Sequence, residues 1–177
     1  MKNSFLFLLL TLTISGCAVM SQRPPIQTVP HVELERFMGP WYVIANIPTP
    51  LEKDAYNAIE SYALDKDGSI ATTFTYNKGS FDGEAKKLTP RGWVRDKQSN
   101  AIWKMRLIWP VKSDYRIVYL DKDYTQTVVG RQKRDYVWIM ARTPSIPASD
   151  YQRLVDLIAG QGYDVSKIQK VPQQGPG

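Results

Sequence analysis

Apolar and polar residues alternate with a period of two along most of the chain, which is the pattern of strands with one buried face. The alternation is clearest in residues 101–109, where Trp103 and Met105 fall on one face and Lys104 and Arg106 on the other. Interrupted by turn residues, the pattern predicts eight strands: 41–47, 57–64, 69–77, 84–88 continued by 91–95, 101–109, 115–120, 124–130 and 136–141.

The connections between these strands are short, and several carry strong turn signals such as Asp67-Gly68. Short connections favour an up-and-down antiparallel sheet, and closing that sheet into a barrel removes its exposed edges. We therefore expect an all-β fold, an eight-stranded antiparallel barrel. A barrel of this size holds either its own side chains or one small ligand.

The period changes from two to that of a helix after Pro147. The apolar residues at helical spacing are Tyr151, Leu154, Val155, Leu157 and Ile158. Gly160 and Gly162 supply the stop signal, so the pattern predicts one C-terminal helix that packs on the outside of the barrel. An extended piece over residues 165–171 follows, then a flexible tail at 173–177.

The N-terminal residues have a pattern that is typical of a targeting segment. Lys2 precedes an apolar run over residues 5–12, which is too short to span a bilayer, so residues 1–16 are expected to be a signal peptide. The sequence Ile14-Ser15-Gly16-Cys17 resembles the bacterial lipobox, in which the cysteine is acylated and anchors the protein to a membrane. Ala18 is, by the same resemblance, compatible with outer-membrane sorting. An ordinary secretory signal with an incidental cysteine is the alternative.

Polar, proline-bearing residues 17–30 are expected to form the lipidated N-terminus and a flexible tether, which leaves residues 31–172 as one domain. Cys17 is the only cysteine of the 177 residues, which excludes a disulfide framework and a cysteine-cluster metal site. Cleavage would remove Lys2 and no acid, so the formal net charge of +6 would become +5. The basic residues are scattered among acidic ones, and nucleic-acid binding is therefore not expected.

The residues needed for catalysis are scarce. His31 is the only histidine, so neither a Ser-His-Asp triad nor a histidine metal cluster can form, and no phosphate or dinucleotide loop is present. No cofactor or metal is expected. Glu60 shares a strand face with Ala58 and Tyr62 and is the one candidate acid–base group; a surface position is the alternative reading.

Three short motifs make the chain resemble the lipocalin family, and most closely its bacterial outer-membrane lipoprotein members. They are Gly39-Pro40-Trp41, the pair Asp121 and Tyr124 in a turn, and Arg142 after the last strand. The resemblance covers about residues 30–172 and implies that Arg142 stacks on Trp41 across a closed end of the barrel. In that family these motif residues are structural and perform no chemistry.

The family normally keeps a ligand cavity, a calyx, at the other end of the barrel. Alternation and the resemblance together select one set of candidate lining residues: Tyr62, Phe74, Trp103, Met105, Leu107, Tyr115, Ile117, Tyr119, Tyr136, Trp138 and Met140. These side chains would give apolar walls and a few phenolic hydroxyls, which suits an acyl chain with a polar head. A bulge in any strand would reverse the inward parity beyond it.

The resulting expectation is an outer-membrane lipoprotein on the periplasmic face of a Gram-negative envelope. It would bind and store or transport fatty acids or lysophospholipids, without catalysis. A structural or interaction lipoprotein with a filled barrel is the first alternative, and a lipid-modifying enzyme that uses Glu60 is the second. The resemblance also leaves a homodimer open.

Overall fold

The computed structural model describes residues 24–107 and 112–175. The expected signal peptide, Cys17 and the end of the predicted strand at 101–109 lie wholly or partly outside these residues. The strands are β1 Gly39–Ile47, β2 Ala55–Leu64, β3 Ser69–Lys78, β4 Glu84–Leu88, β5 Arg91–Val94, β6 Ile102–Arg106, β7 Ser113–Leu120, β8 Gln126–Gly130, β9 Val137–Ala141 and β10 Gln169–Lys170. The helices are α1 Leu34–Phe37, α2 Ala148–Gly160 and a 3₁₀ turn at Val165–Lys167.

Antiparallel pairing of neighbouring strands forms one sheet, and pairing of β1 with β9 closes it. β4 and β5 pair with opposite ends of β3 and act as one strand interrupted at Pro90. Proline has no N–H to donate to the ladder, which explains the interruption. The result is a closed eight-stranded antiparallel barrel with one C-terminal helix, which confirms the predicted fold.

Bulges change which residues face the interior. In β7 the register shifts between Ile117 and Tyr119, so Ile117 lies inside whereas Val118 and Tyr119 pack on the outer layer. The expectation that Tyr119 faces the interior is therefore corrected. The extra residue turns every later side chain of the strand to the opposite face, and Leu120 points inward again.

Helix α2 covers the outside of the barrel wall. Leu154 and Ile158 are its fully buried residues, and they join an apolar cluster with Val118 and Ile139 of the barrel. A second cluster fills the barrel interior. The single amphipathic helix thus gives the wall an outer apolar layer, while the inner layer is left for the barrel itself.

Both ends of the described chain are held against the barrel. Ile26 is only 3% exposed, and the amide of Val29 donates to the carbonyl of Ile117, so residues 26–29 are packed where a free tether was expected. Residues 169–174, here named the C-terminal strap, lie along β1. The side-chain amide of Gln173, in the expected flexible tail, donates to the carbonyls of Val43 and Ala58 and so bridges β1 and β2.

Candidate functional site

One end of the barrel is closed by Trp41 and Arg142. The Arg142 guanidinium carbon lies 3.8 Å from the centre of the buried Trp41 ring. Its nitrogens donate to backbone carbonyls of Arg36, Phe37, Met38, Pro40 and Tyr124. The planar guanidinium stacks on the ring and donates hydrogen bonds at the same time, which seals this end of the barrel.

The other motif residues support the same closed end. Gly39 has φ of +90°, and a Cβ there would lie 3.4 Å from an Arg142 nitrogen. The Asp121 carboxylate accepts hydrogen bonds from the amides of Thr125 and Gln126 and thereby fixes its turn. The Tyr124 hydroxyl accepts from the amide of Glu33, which ties the N-terminal segment to that turn.

The opposite end of the barrel contains a cavity of about 290 Å³, close to the lower limit of ordinary ligand pockets. The predicted residues that line it are Phe74, Met105, Leu107, Tyr115, Tyr136 and Trp138. The others that line it are Thr49, Pro50, Leu51, Glu52, Glu60, Leu88, Pro90, Ser113, Asp114 and Arg131. Leu51 and Leu107 are 50% and 41% exposed and stand at the mouth.

Four predicted lining residues belong instead to the core that fills the rest of the barrel: Tyr62, Trp103, Ile117 and Met140. The Trp103 and Tyr115 rings stack with their centres 5.0 Å apart, and Phe37 packs edge-on against Trp103. The remaining predicted residue, Tyr119, lies outside the wall with the Arg153 guanidinium of α2 5.0 Å from its ring. The cavity is therefore shallow.

The first of two carboxyl groups in the cavity belongs to Glu52. It accepts hydrogen bonds from the Trp138 indole nitrogen at 3.2 Å and from the Thr49 amide at 3.1 Å. Burial raises the pKa of Glu52, and these hydrogen bonds only partly oppose the effect. Glu52 could not be found from the sequence pattern, because it lies in the connection between β1 and β2, where apolar and polar residues do not alternate.

The second carboxyl belongs to Glu60, which pairs across β2 and β3 with Phe74 and therefore faces the interior. Burial raises the pKa of Glu60 to about 7, with a smaller contribution from the charge of Glu52 and an opposing hydrogen bond from Tyr62. The Tyr62 and Tyr115 hydroxyl oxygens are 2.6 Å apart. Burial also raises the pKa of both phenols well above their usual range, so they remain neutral at physiological pH.

The mouth of the cavity carries charges of both signs. Arg131 lines it with its guanidinium carbon 5.1 Å from the Tyr136 ring, while its Nε lies 3.4 Å from Asp135. Asp114, also at the lining, is paired with Arg116 at 2.9 Å. An anionic group at the mouth therefore meets one cation, whereas the interior offers two acids.

The described part of the chain holds no cluster of three or more side chains suited to a metal ion. His31 lies away from the cavity, where its Nδ1 is 3.2 Å from the Gln98 carbonyl. Within residues 24–107 and 112–175, no helix combines the length and apolar character that crossing a membrane requires.

A closed antiparallel barrel with one sealed end and one cavity is the architecture of proteins that enclose a small apolar molecule. The chain belongs to the lipocalin family, since the model of the lipocalin-like domain matches residues 32–173. The family resemblance seen in the sequence is thereby confirmed.

Individual relatives agree with this assignment. The chain is 32% identical over 166 residues to temperature-induced lipocalin-1 of Arabidopsis thaliana, covering 87% of this chain and 86% of the relative. It is 30% identical over 162 residues to the outer membrane lipoprotein Blc of Citrobacter freundii, covering 89% and 90%. Insecticyanin of Manduca sexta shares the fold, with a TM-score of 0.65 at 13% identity and 84% coverage of each chain.

Proposed function

We propose that this protein is a lipid-anchored outer-membrane lipoprotein that binds fatty acids or lysophospholipids and stores or transports them for envelope maintenance. The observation that carries the proposal is the cavity at one end of a sealed barrel, with Phe74, Met105 and Trp138 as apolar walls. Such walls suit an acyl chain, and Arg131 at the mouth suits a carboxylate or a phosphate.

The position of the N-terminal segment supports the anchored form. The side chains of Gln132 and Arg134, in the connection between β8 and β9, donate to the carbonyl of Pro24. The same connection begins and ends with cavity-lining residues, Arg131 and Tyr136. Cys17 precedes Pro24 by seven residues, a length of chain that spans at most about 25 Å. The name of the Blc relatives, outer membrane lipoprotein, points to the same location.

Native mass spectrometry of the mature protein, released from detergent after purification from a Gram-negative host, tests the binding. We expect one acyl-chain lipid per barrel, and Trp138→Ala to weaken its retention about tenfold because it removes a wall of the cavity. Tyr119→Ala is the matched control, since this aromatic lies outside the barrel, and it should retain lipid as the wild type does.

A structural or interaction lipoprotein is the second candidate, because aromatic residues already fill the interior beneath the cavity. A protein that carries no lipid after purification, and takes none up on titration, would favour this candidate over the carrier.

The anchor has its own test. Cys17→Ser should abolish incorporation of labelled palmitate and move the protein from the membrane fraction to the soluble envelope fraction. Unchanged fractionation would contradict the lipidation of Cys17.

A further inference from the structure

The deep end of the cavity is polar. We name the side chains of Glu60, Tyr62 and Tyr115 the polar floor. Glu60 and Tyr115 line the cavity, and Tyr62 lies directly beneath them, with its hydroxyl 2.6 Å from that of Tyr115. If the methyl end of an acyl chain were placed against this floor, buried polar groups would be left without hydrogen-bond partners, which costs binding free energy.

The hydrogen-bond directions within the floor follow from the number of donors. Either phenol can donate in the hydrogen bond between Tyr62 and Tyr115. When Glu60 is ionised it only accepts, and a Tyr62 hydroxyl that donates to it must in turn accept from Tyr115. Both phenolic protons are then used, and the floor presents only acceptors to the cavity. When Glu60 is protonated, the floor gains one O–H donor.

The surroundings of Glu60 bring its change of protonation close to neutral pH. Besides Glu60 and Tyr115 of the floor, the titratable groups that face the same cavity are Glu52, Asp114, Arg131 and Tyr136. Burial and, to a smaller extent, the charge of Glu52 together raise the pKa of Glu60 to about 7 against the opposing hydrogen bond from Tyr62. No cation lies within ion-pair distance of Glu60 among residues 24–107 and 112–175.

We propose that the polar floor binds an uncharged polar group at the deep end of an amphiphilic ligand, and that the protonation state of Glu60 selects which group. Protonated Glu60 donates to a carbonyl oxygen, whereas a hydroxyl group is accepted in both states because it also donates. A carboxylate is excluded from the floor once Glu60 is ionised, so an anionic head would lie at the mouth beside Arg131. This inference rests on the proposed function, since it specifies how the same cavity orients its ligand.

Two ligands without ionisable groups distinguish the protonated form of Glu60 from the ionised form. We would measure by calorimetry the binding of 2-undecanone, an acceptor only, and of 1-decanol, a donor and acceptor, to the full-length protein in phosphatidylcholine nanodiscs at pH 6 and pH 9. The expected Kd for the ketone rises tenfold or more, with about 90-fold as the limit set by the protonated fraction. The Kd for the alcohol should change by less than about threefold, because it binds both states.

Conservative variants assign the effect to one carboxyl. Glu60→Gln keeps a donor and an acceptor but cannot ionise, so ketone binding should become independent of pH. Glu52→Gln, which changes the neighbouring carboxyl, should keep the pH dependence of the ketone whatever it does to the affinity. If the dependence instead disappears in Glu52→Gln, Glu60 is not the selecting group.

A spectroscopic measurement on the wild type keeps the proposal testable if a variant does not fold. The carbonyl ¹³C resonance of bound 2-undecanone should lie downfield at pH 6, where a carboxylic acid donates to it, and return toward the value in apolar solvent at pH 9. If both ligands bind equally at both pH values with an unchanged resonance, the polar floor is overturned and the carrier function stands. If neither ligand nor any lipid binds, the carrier function falls, and the inference falls with it.

Discussion

Among single residues, Arg142 stabilises the closed end of the barrel through several contacts at once. Its guanidinium stacks on Trp41 and donates to the carbonyls of the turn formed by residues 36–40. These carbonyls lie in the last turn of the short helix α1 and at the start of β1, so the cation ties the end of the helix to the first strand. A lysine has neither the planar face nor enough donors in a fixed arrangement.

Arg142→Lys should lower the free energy of unfolding by about 2–4 kcal/mol, because it removes the stacked cation and most of the charged hydrogen bonds. Urea titration followed by near-UV circular dichroism measures the change. Arg153→Lys, at a half-exposed cation–π contact on α2, is the control and should stay within about 0.5 kcal/mol of the wild type. Equal effects of the two variants would contradict the structural role of Arg142.

Position 130 requires glycine because the Tyr163 side chain lies too close for a Cβ, and not because the chain turns there. A Cβ on Gly130 would lie 2.4 Å from the Tyr163 hydroxyl, which accepts from the Arg131 amide and donates to the Arg131 carbonyl. Gly130→Ala should therefore destabilise the protein by about 1–3 kcal/mol through overpacking. Gly160→Ala, at a helical position with open space, should be neutral or slightly stabilising. Thermal unfolding compares the two, and Tyr163→Phe in the Gly130→Ala background should restore part of the loss.

At the scale of elements, the C-terminal strap completes a seam in the barrel. Pairing of β1 with β2 extends only from Gly39 to Tyr42, and beyond it the strap pairs with Ala45 and Asn46. The carbonyl of Pro172 then accepts from the amide of Asn57 in β2. The strap thus hydrogen bonds to backbone groups of β1 and β2 where these two strands separate. Packing and hydrogen bonds hold the strap in place without a disulfide.

Truncation after Lys170 should destabilise the protein by roughly 2–5 kcal/mol, since it removes buried Val171 and the bridging amide of Gln173. Hydrogen exchange should show the Asn57 amide losing protection first. Truncation after Gln174 removes none of these contacts and serves as the control. An unchanged melting temperature in the shorter chain would show that the strap adds nothing to the seam.

At the scale of the whole molecule, the two ends of the barrel differ in their electrostatics. The closed end has a half-buried cation on a buried aromatic ring, whereas the cavity end encloses Glu52 and Glu60 beneath a rim that carries Arg131. Two acids in a low-dielectric chamber favour their neutral forms, so the empty barrel is destabilised when they ionise. Ligand binding and folding stability therefore both depend on the protonation of these two carboxyl groups.

The unfolding free energy should fall as pH rises from about 4.5 to 7. The pKa of Glu60 is raised from 4.5 to about 7 in the folded state, so between these values the folded protein holds a proton that the unfolded chain releases. The loss from this group is about 3 kcal/mol, and Glu52, whose pKa is also raised, acts in the same direction. Urea unfolding at pH 5 and pH 8 measures it. Glu60→Gln should remove most of the difference in unfolding free energy between the two pH values. A wild type that is more stable at pH 8 than at pH 5 would contradict the raised pKa of Glu60.

Local patterns in the amino-acid sequence were enough to predict the strands, helix α2 and the closing residues Trp41 and Arg142. These features depend on local backbone rules: alternation at period two, helical spacing, turn residues and short motifs. Phe74, Met105 and Trp138 were found as cavity residues for the same reason, because in their strands the alternation continues to the mouth without interruption.

The identity of the residues that face the ligand space, and the depth of that space, depend on how the whole barrel packs. A bulge of one residue turned Tyr119 outward, and the packing of Phe37 and Trp103 filled the lower barrel and left Tyr62 beneath the cavity instead of in its wall. Glu52 of the β1–β2 connection and Glu60 of β2 line the same cavity, and the charge of Glu52 reaches Glu60. Parity after a bulge and the filling of a closed barrel depend on contacts between distant strands, and local patterns do not contain those contacts.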